Sequence, residues 1–401
     1  MTKVSKLAQN IIGSEIIKIA AEVKQRTQQG QDIFNLTIGD FDPFLFPIPS
    51  KLKEFIIESY VNNQTNYPTA EGQLELISVI VKKTKRTNQE IVIAAGARPI
   101  IYSIFKTLVD PDDYVLFPTP SWNNNHYTYL SNAQSIAVET TPENNFMPTA
   151  DDIRPYIDKV KLITLCSPQN PTGTTFSKEN LQEICELILN ENEKRPDNPV
   201  YLMYDQIYSE LVYDKIEHYD PVSIYPEMKH YTIYVDGISK SLSATGIRVG
   251  WAMGPVEVIS KMRSILTHVG AWAPKPEQIA TANYLVSPFY DLFMSQQRIN
   301  IHKRLHAVYH SLLKLKKQGL CIDVIKPQGG IYLSVKIDIP GKTPEETRLL
   351  LLDRASIAVI PFYAFGCDKN NPWFRISVGT LKESDIQMIE DKLQNLLKKF
   401  S

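Results

Sequence analysis

Ser239-Lys240-Ser241, followed closely by Gly246-Ile247-Arg248-Val249-Gly250-Trp251, places an amine and a guanidinium around one short loop after the strand-like run Thr232 to Asp236. A lysine condenses with an aldehyde only when its amine is sometimes unprotonated, a state that a nearby positive charge and partial burial favour. Arg248 supplies such a charge, and its rigid fork suits a phosphate. Together they suggest Schiff-base chemistry on an aldehyde that carries a phosphate. The alternative is an ordinary solvated Lys-Ser loop.

Other positions carry groups that fit the same chemistry. Gly96-Ala97-Arg98 precedes Pro99 and a helix-like run, and such a helix start presents free N–H groups and a positive dipole end to an anion. Trp122, in Pro118-Thr119-Pro120-Ser121-Trp122, is either a hydrophobic plug or a platform for a planar ring. In Ser167-Pro168-Gln169-Asn170-Pro171-Thr172-Gly173, prolines and a glycine fix a rigid turn, which holds the Asn170 amide where it can donate at one defined place. Asp205 follows the apolar Tyr201-Leu202-Met203-Tyr204, so it is expected to be buried and to need a cationic or N–H partner, unless it caps a helix from Gln206 onward. Tyr208 would share its face of a helical turn. Arg375 lies inside the β-like Trp373-Phe374-Arg375-Ile376-Ser377-Val378, either as an edge charge or as the fork that receives a carboxylate.

Such residues need a scaffold that brings them together. Short apolar runs alternate with helix-length amphipathic stretches. They predict strands at Ile91 to Ala95, Tyr114 to Phe117, Lys161 to Leu165, Tyr201 to Tyr204, Thr232 to Asp236 and Arg248 to Met253, with helices at Pro99 to Leu108 and Ser177 to Asn192. This pattern predicts an α/β fold with a largely parallel sheet covered by helices on both faces. Ligands of such sheets bind outside the carboxyl ends of the strands. Gly96, Trp122, Asn170, Asp205 and Lys240 all fall at or just beyond such an end. After about residue 292 the texture becomes α+β: a long helix, Gln296 to Lys317, strands at Cys321 to Ile325, Ile331 to Val335 and Phe374 to Val378, and capping-box signals at Thr343-Pro344-Glu345-Glu346 and Thr380-Leu381-Lys382-Glu383. The predicted division is a large domain at 50–291 and a small domain built from 292–401 and 1–49, since Ser14 to Gln29 is the one helix of a segment too slight to fold alone.

Composition narrows the partners. Lys+Arg 43 against Asp+Glu 44, without basic blocks, lacks the footprint of a nucleic-acid binder or of a protein held on an anionic membrane. No apolar run approaches the roughly 18 residues of a spanning helix. Cys166, Cys185, Cys321 and Cys367 show no metal-ligand spacing, so no metal site is expected, and reduced thiols fit a cytoplasmic protein.

In combination, the Asn170-Pro171-Thr172-Gly173 turn, the Asp205-x-x-Tyr208 pair and the Ser239-Lys240…Gly246-x-Arg248-x-Gly250 loop resemble the fold-type I, pyridoxal-phosphate-dependent class I/II aminotransferases. The likeness runs from Asn35-Leu36-Thr37-Ile38-Gly39 to Arg375. It implies an aspartate-aminotransferase-like fold with a seven-stranded sheet in the large domain. It also implies that Lys240 forms the Schiff base and acts as the base, and that Arg248, with Gly96, Ala97, Arg98 and Ser239, surrounds the phosphate. Trp122 would stack on the cofactor ring, Asp205 pair with its nitrogen, and Asn170 and Tyr208 hold its phenolic oxygen. Arg375 would bind the substrate carboxylate near Gly39 and Asn170, and Tyr67 reach the phosphate of a partner subunit, making the active unit a homodimer with shared sites. Gly237 departs from the pattern, standing three before Lys240 where many members have serine. The activity implied is ping-pong transfer from an L-amino acid to a 2-oxo acid such as 2-oxoglutarate. A carbon–sulfur β-lyase uses the same pocket, and an effector-binding regulator uses the same fold. The segment Thr267 to Lys275 has no arginine for a dicarboxylate donor and offers only Lys275 or Trp272 to a substrate side chain.

Overall fold

Apolar residues occupy both faces of the central strands, so each strand must be sandwiched. Val92 and Ala94 join one core with Leu162, Met203, Ile233 and Val235, while Ile91 and Ile93 join another with Ile163, Leu202, Tyr204 and Tyr234. The computed structural model describes residues 4–11, 13–122 and 124–400. Its strands are β1 (Ile91–Ala94), β2 (Tyr114–Thr119), β3 (Gln134–Glu139), β4 (Val160–Cys166), β5 (Tyr201–Asp205), β6 (Thr232–Gly237) and β7 (Gly250–Met253). They form one seven-stranded sheet in the order β1-β7-β6-β5-β4-β2-β3, in which β7 alone runs against its neighbours. Helices Ala97–Leu108 and Val256–His268 cover the first face, and Lys178–Lys194 the second. Ser177 caps that last helix by accepting from the Asn180 amide.

Strand β3 escapes sequence reading because it is an exposed edge: Gln134, Ser135, Ala137 and Glu139 face solvent, leaving no apolar run. A strand beginning at Arg248 is corrected to one beginning at Gly250, because Arg248 adopts a left-handed φ of 62°. No helix follows Asp205 either; residues 207–210 form a turn.

A second sheet is antiparallel: β8 (Ile322–Val324), β9 (Tyr332–Ile337), β10 (Ile360–Pro361) and β11 (Trp373–Ser377) pair in the order β10-β11-β9-β8. Phe34–Asn35 adds to this unit by pairing in parallel with Ile357–Ala358. The Thr343 capping box forms as expected. The one at Thr380 does not, since its hydroxyl donates to the Asn35 carbonyl at 3.1 Å and Glu383 pairs with Lys303 at 2.6 Å.

Gly173 locks the two units together. Its carbonyl accepts from the amides of Gln328 at 2.7 Å and Gly329 at 3.0 Å. At φ +72° a Cβ there would collide with the Tyr332 carbonyl oxygen. Gly173→Ala should therefore lose about 3 kcal/mol of stability through a left-handed alanine and displaced backbone. A urea midpoint unchanged from wild type would show that the turn yields without loss.

Candidate active site

The carboxyl edge of the large sheet and one edge of the antiparallel sheet enclose a cleft of about 380 Å³. It is lined by Ala97, Arg98, Trp122, Asn170, Asp205, Tyr208, Ser239, Lys240 and Arg248 from one side, and by Gly39, Tyr332 and Arg375 from the other. Of the residues singled out from sequence, Gly96 sits directly behind this wall and Tyr67 lies outside it, 83% exposed with its ring edge-on to Trp272 at 5.5 Å. Lys275 does not line the cleft; its ammonium donates to Asn66 at 2.8 Å.

At one end Gly96 caps the helix Ala97–Leu108 at φ 84°, leaving the first amides of that helix free. The left-handed turn at Arg248 sends its guanidinium to the carbonyls of Thr245 and Ala95, each at 2.7 Å. A Cβ on residue 96 would stand 2.5 Å from the Arg248 Nη2, so only glycine leaves room for that guanidinium. The Ser239 hydroxyl faces the same region without a protein partner among the described residues. Gly237 contributes nothing here. Its missing side chain would point at Val249 O and Gly250 Cα, both 2.8 Å away, rather than at the cleft. The Arg98 guanidinium lies 4.6 Å from the Trp122 ring centroid at the rim.

At the floor stands Asp205, the last residue of β5. One of its oxygens accepts from the Ile207 amide at 3.1 Å, and no cation forms an ion pair with it among the described residues. Burial raises its carboxyl to about 6, against the opposing pull of that amide and of the Lys240 charge. Lys240, in the short helix Ile238–Ser241 after β6, donates from Nζ to the Gly39 carbonyl at 2.6 Å and lies 5.8 Å from the Tyr208 ring centroid.

At the far end Arg375, 1% exposed, donates to Asn170 Oδ1 at 3.0 Å and to the Thr37 carbonyl at 2.5 Å. Its Nε is buried with no partner, and burial draws its pKa down. Tyr332 and Phe365 present their rings to it at 4.6 and 5.0 Å. Sequence reasoning missed Tyr332, whose hydroxyl bonds that of Tyr208 at 2.9 Å. The signal was Gly329-Gly330 just before a strand, where Gly330 at φ 70° packs under the Tyr208 ring. Gln169 was also passed over; it holds the Pro120 carbonyl at 2.7 Å while its own oxygen is buried without a partner.

Arg98, Lys240, Arg248 and Arg375 thus converge on one cleft, and among the described residues their partners are carbonyls, an amide oxygen and aromatic rings, with no carboxylate. Such a cleft suits a ligand set bearing a phosphate and a carboxylate, with a flat cation-bearing ring at Asp205. Pyridoxal phosphate with an amino acid has these features.

The profile described as aminotransferase class I and II matches residues 31–393. An aspartate aminotransferase of Bacillus sp. (strain YM-2) is 29% identical over 396 residues, covering 96% of this chain and 95% of that one. A probable aspartate/prephenate aminotransferase of Rickettsia felis is 30% identical over 401 residues, covering 96% and 94%. The crystal structure of the Rhizobium meliloti aspartate aminotransferase superposes with a TM-score of 0.91 at 26% identity, covering 100% of both chains. That of the Thermus thermophilus aspartate aminotransferase with maleate gives 0.89 at 25% identity, over 99% of this chain and 100% of that one.

The raised Asp205 carboxyl has a direct consequence for the cofactor-free protein. Between its usual value of 3.8 and about 6 the folded state keeps a proton that the unfolded chain has released, so stability falls as pH rises through that window. Asp205→Asn should remove this fall, matching wild type near pH 4 and exceeding it by about 2 kcal/mol above pH 6. Parallel denaturation curves for the two proteins across that range would contradict the burial of a lone carboxylate.

Proposed function

Since the chain belongs to the aminotransferase class I and II family, we propose that it moves the amino group of an acidic L-amino acid to 2-oxoglutarate by a ping-pong mechanism, with pyridoxal phosphate as cofactor. The protein is an aminotransferase; the donor, the acceptor and the residue roles are our reading. The observation that carries it is the convergence of unpaired cations opposite the unpaired Asp205. When bound, pyridoxal phosphate supplies an aldehyde for the amino group and a protonated ring that withdraws electrons from Cα.

The chain does the rest. Arg248, the free amides after Gly96, and Ser239 hold the phosphate, while Trp122 covers the ring and Asp205 keeps its nitrogen protonated. Asn170 and Tyr208 hold the phenolic oxygen. Arg375 grips the α-carboxylate beside Gly39, which fixes the Cα–H bond toward Lys240. The Lys240 amine, once free, would take the proton from Cα and deliver it to the carbon that had been the cofactor's aldehyde. Residues 50–291 act as the cofactor-holding unit, and residues 1–49 with 292–401 bring Gly39 and Arg375 to it.

Acidic donors are favoured by Arg98. It lines the cleft and has no carboxylate partner, so it is available to a second carboxylate. Relatives named aspartate aminotransferase, and one whose structure contains the dicarboxylate maleate, support this choice. We place the enzyme in the cytoplasm, in keeping with four free cysteines and with no helix long and apolar enough to cross a membrane among the described residues.

A homodimer completes the proposal. Ile57, Val61, Tyr67 and Leu74 are exposed apolar side chains. A second copy would cover them, bringing Tyr67 to the neighbouring phosphate.

Single-turnover mixing with aspartate, glutamate, leucine and phenylalanine, followed by loss of the visible cofactor absorbance, tests the donor. Acidic donors should react fastest, and Arg98→Ala should lower their second-order rate constant about 100-fold while sparing leucine, as expected for one lost charge-assisted pair. Equal losses for all donors would assign Arg98 to the cofactor instead. For the shared site, Tyr67→Ala and Lys240→Ala homodimers should both be impaired. Subunit exchange should restore about half the activity of a wild-type dimer to each mixed dimer, because both lesions then fall in one site. No recovery after exchange proven by mass spectrometry would confine Tyr67 to its own subunit.

A further inference from the structure

Four residues before Lys240, at the end of β6, lies a half-buried carboxylate that has no part in the reaction. Asp236 accepts from the Gly237 amide at 2.7 Å through one oxygen and from Gln206 Nε2 at 3.0 Å through the other. Gln206 directly follows Asp205, and its own amide donates to the Val235 carbonyl at 3.0 Å. Since Asp205 and Val235 are paired in register, these bonds close a ring around two strand ends, one carrying Asp205 and the other leading into Lys240.

The groups that face Asp236 are mostly acidic or neutral. Glu210 stands on the turn after β5 and Asp205 at the end of that strand, and the Tyr290 hydroxyl donates to Glu210. Lys83 is 3.7 Å from Glu210 and 4.1 Å from the Tyr290 ring centroid, so its charge is spent there. Trp251, paired with Asp236 across the sheet, has its Nε1 buried without a partner. No cation forms an ion pair with Asp236 among the described residues. Burial, reinforced by Glu210 and Asp205 and opposed by the Gln206 and Gly237 bonds, pushes its carboxyl up to about 7. An asparagine would keep both hydrogen bonds once the Gln206 amide turned over, so the geometry alone does not require the charge.

We infer that Asp236 is a positioning residue for the reaction at Lys240: its carboxylate fastens the Asp205 strand end to the turn that carries Lys240, and its charge stands beside the carboxylate that faces the cofactor ring. This rests on the assignment of Lys240 and Asp205 to the cofactor. An ionised Asp236 opposes ionisation of Asp205 unless the ring N–H compensates. The site would thereby hold its protons to a higher pH than the clamp alone provides.

Two variants separate the clamp from the charge. In the holoenzyme Asp236→Asn should keep cofactor affinity within about two-fold yet lower the pH midpoint of the visible cofactor band by about half a unit or more. Gln206→Ala, which keeps the charge and breaks the clamp, should weaken cofactor binding several-fold and leave the midpoint in place. Borohydride reduction and peptide mapping identify the labelled lysine in each protein. If Lys240 is labelled throughout and the Asp236→Asn midpoint stays at the wild-type value, the inference is overturned and the site assignment stands. If another lysine is labelled, the site assignment falls, and with it the positioning role, while melting of the cofactor-free proteins still decides the charge. A carboxyl raised from 3.8 to about 7 makes wild-type stability fall as pH rises through that window. A flatter Asp236→Asn profile supports the buried charge, and one as steep as wild type overturns it.

Discussion

Arg375 is the largest fully buried side chain among the described residues, and it carries a charge with no anion among them beside it. Burying an ion unpaired costs several kcal/mol, so the surroundings must supply what an anion would. They do so from three separate parts of the chain. The Thr37 carbonyl comes from the N-terminal segment, the Asn170 oxygen from the turn after β4, and the rings of Tyr332 and Phe365 from the unit that contains β11. The arginine is therefore a junction as well as a binding group: units distant in sequence meet where each contributes partial negative charge. Gly39 belongs to the same constraint, because a Cβ there would stand 2.7 Å from the Tyr332 hydroxyl.

The opposite end of the cleft obeys a steric rule. Gly96, Gly250 and the left-handed Arg248 stack so closely that a Cβ on residue 250 would lie 2.9 Å from Gly96 Cα. Backbone approach of this kind is how a sheet edge exposes helix amides and a guanidinium to the same anion. Between the two ends, Lys240 reaches across to the Gly39 carbonyl, so its amine already spans the boundary between the units.

What was legible in the sequence follows from where the information is local. Rigid turns and strand ends announce themselves: Asn170 by its prolines, Asp205 by the apolar run before it, Lys240 by its position after β6. Buried strands with both faces apolar were equally plain. The exposed edge strand Gln134–Glu139 was not, because nothing apolar marks it. Tyr332 and Gln169 were also missed, since their importance arises from contacts with Tyr208 and Pro120, more than a hundred and about fifty residues away, respectively. The left-handed backbone at Arg248 was hidden for a similar reason: an arginine followed by valine and glycine reads as a strand until the guanidinium is seen to need a place against Gly96.

The charges left unpaired also connect ligand binding to folding. Among the described residues the buried Arg375 and the half-buried Asp205 each lack a counterion, and both lower the stability of the native state by an amount that a ligand can recover. On the proposed reading, a phosphate at Arg248, a ring cation at Asp205 and a carboxylate at Arg375 would each relieve one such deficit. Because Arg375 and Gly39 belong to one unit while Arg248, Asp205 and Lys240 belong to the other, filling only one end leaves part of the deficit in place. On the proposed assignment, cofactor alone would strengthen the large unit, and a substrate carboxylate would add to the contacts that Gly173, Lys240 and Arg375 already make between the units. A substrate that bears both an amino group and a carboxylate would thus relieve unpaired charge on both sides of the boundary at once.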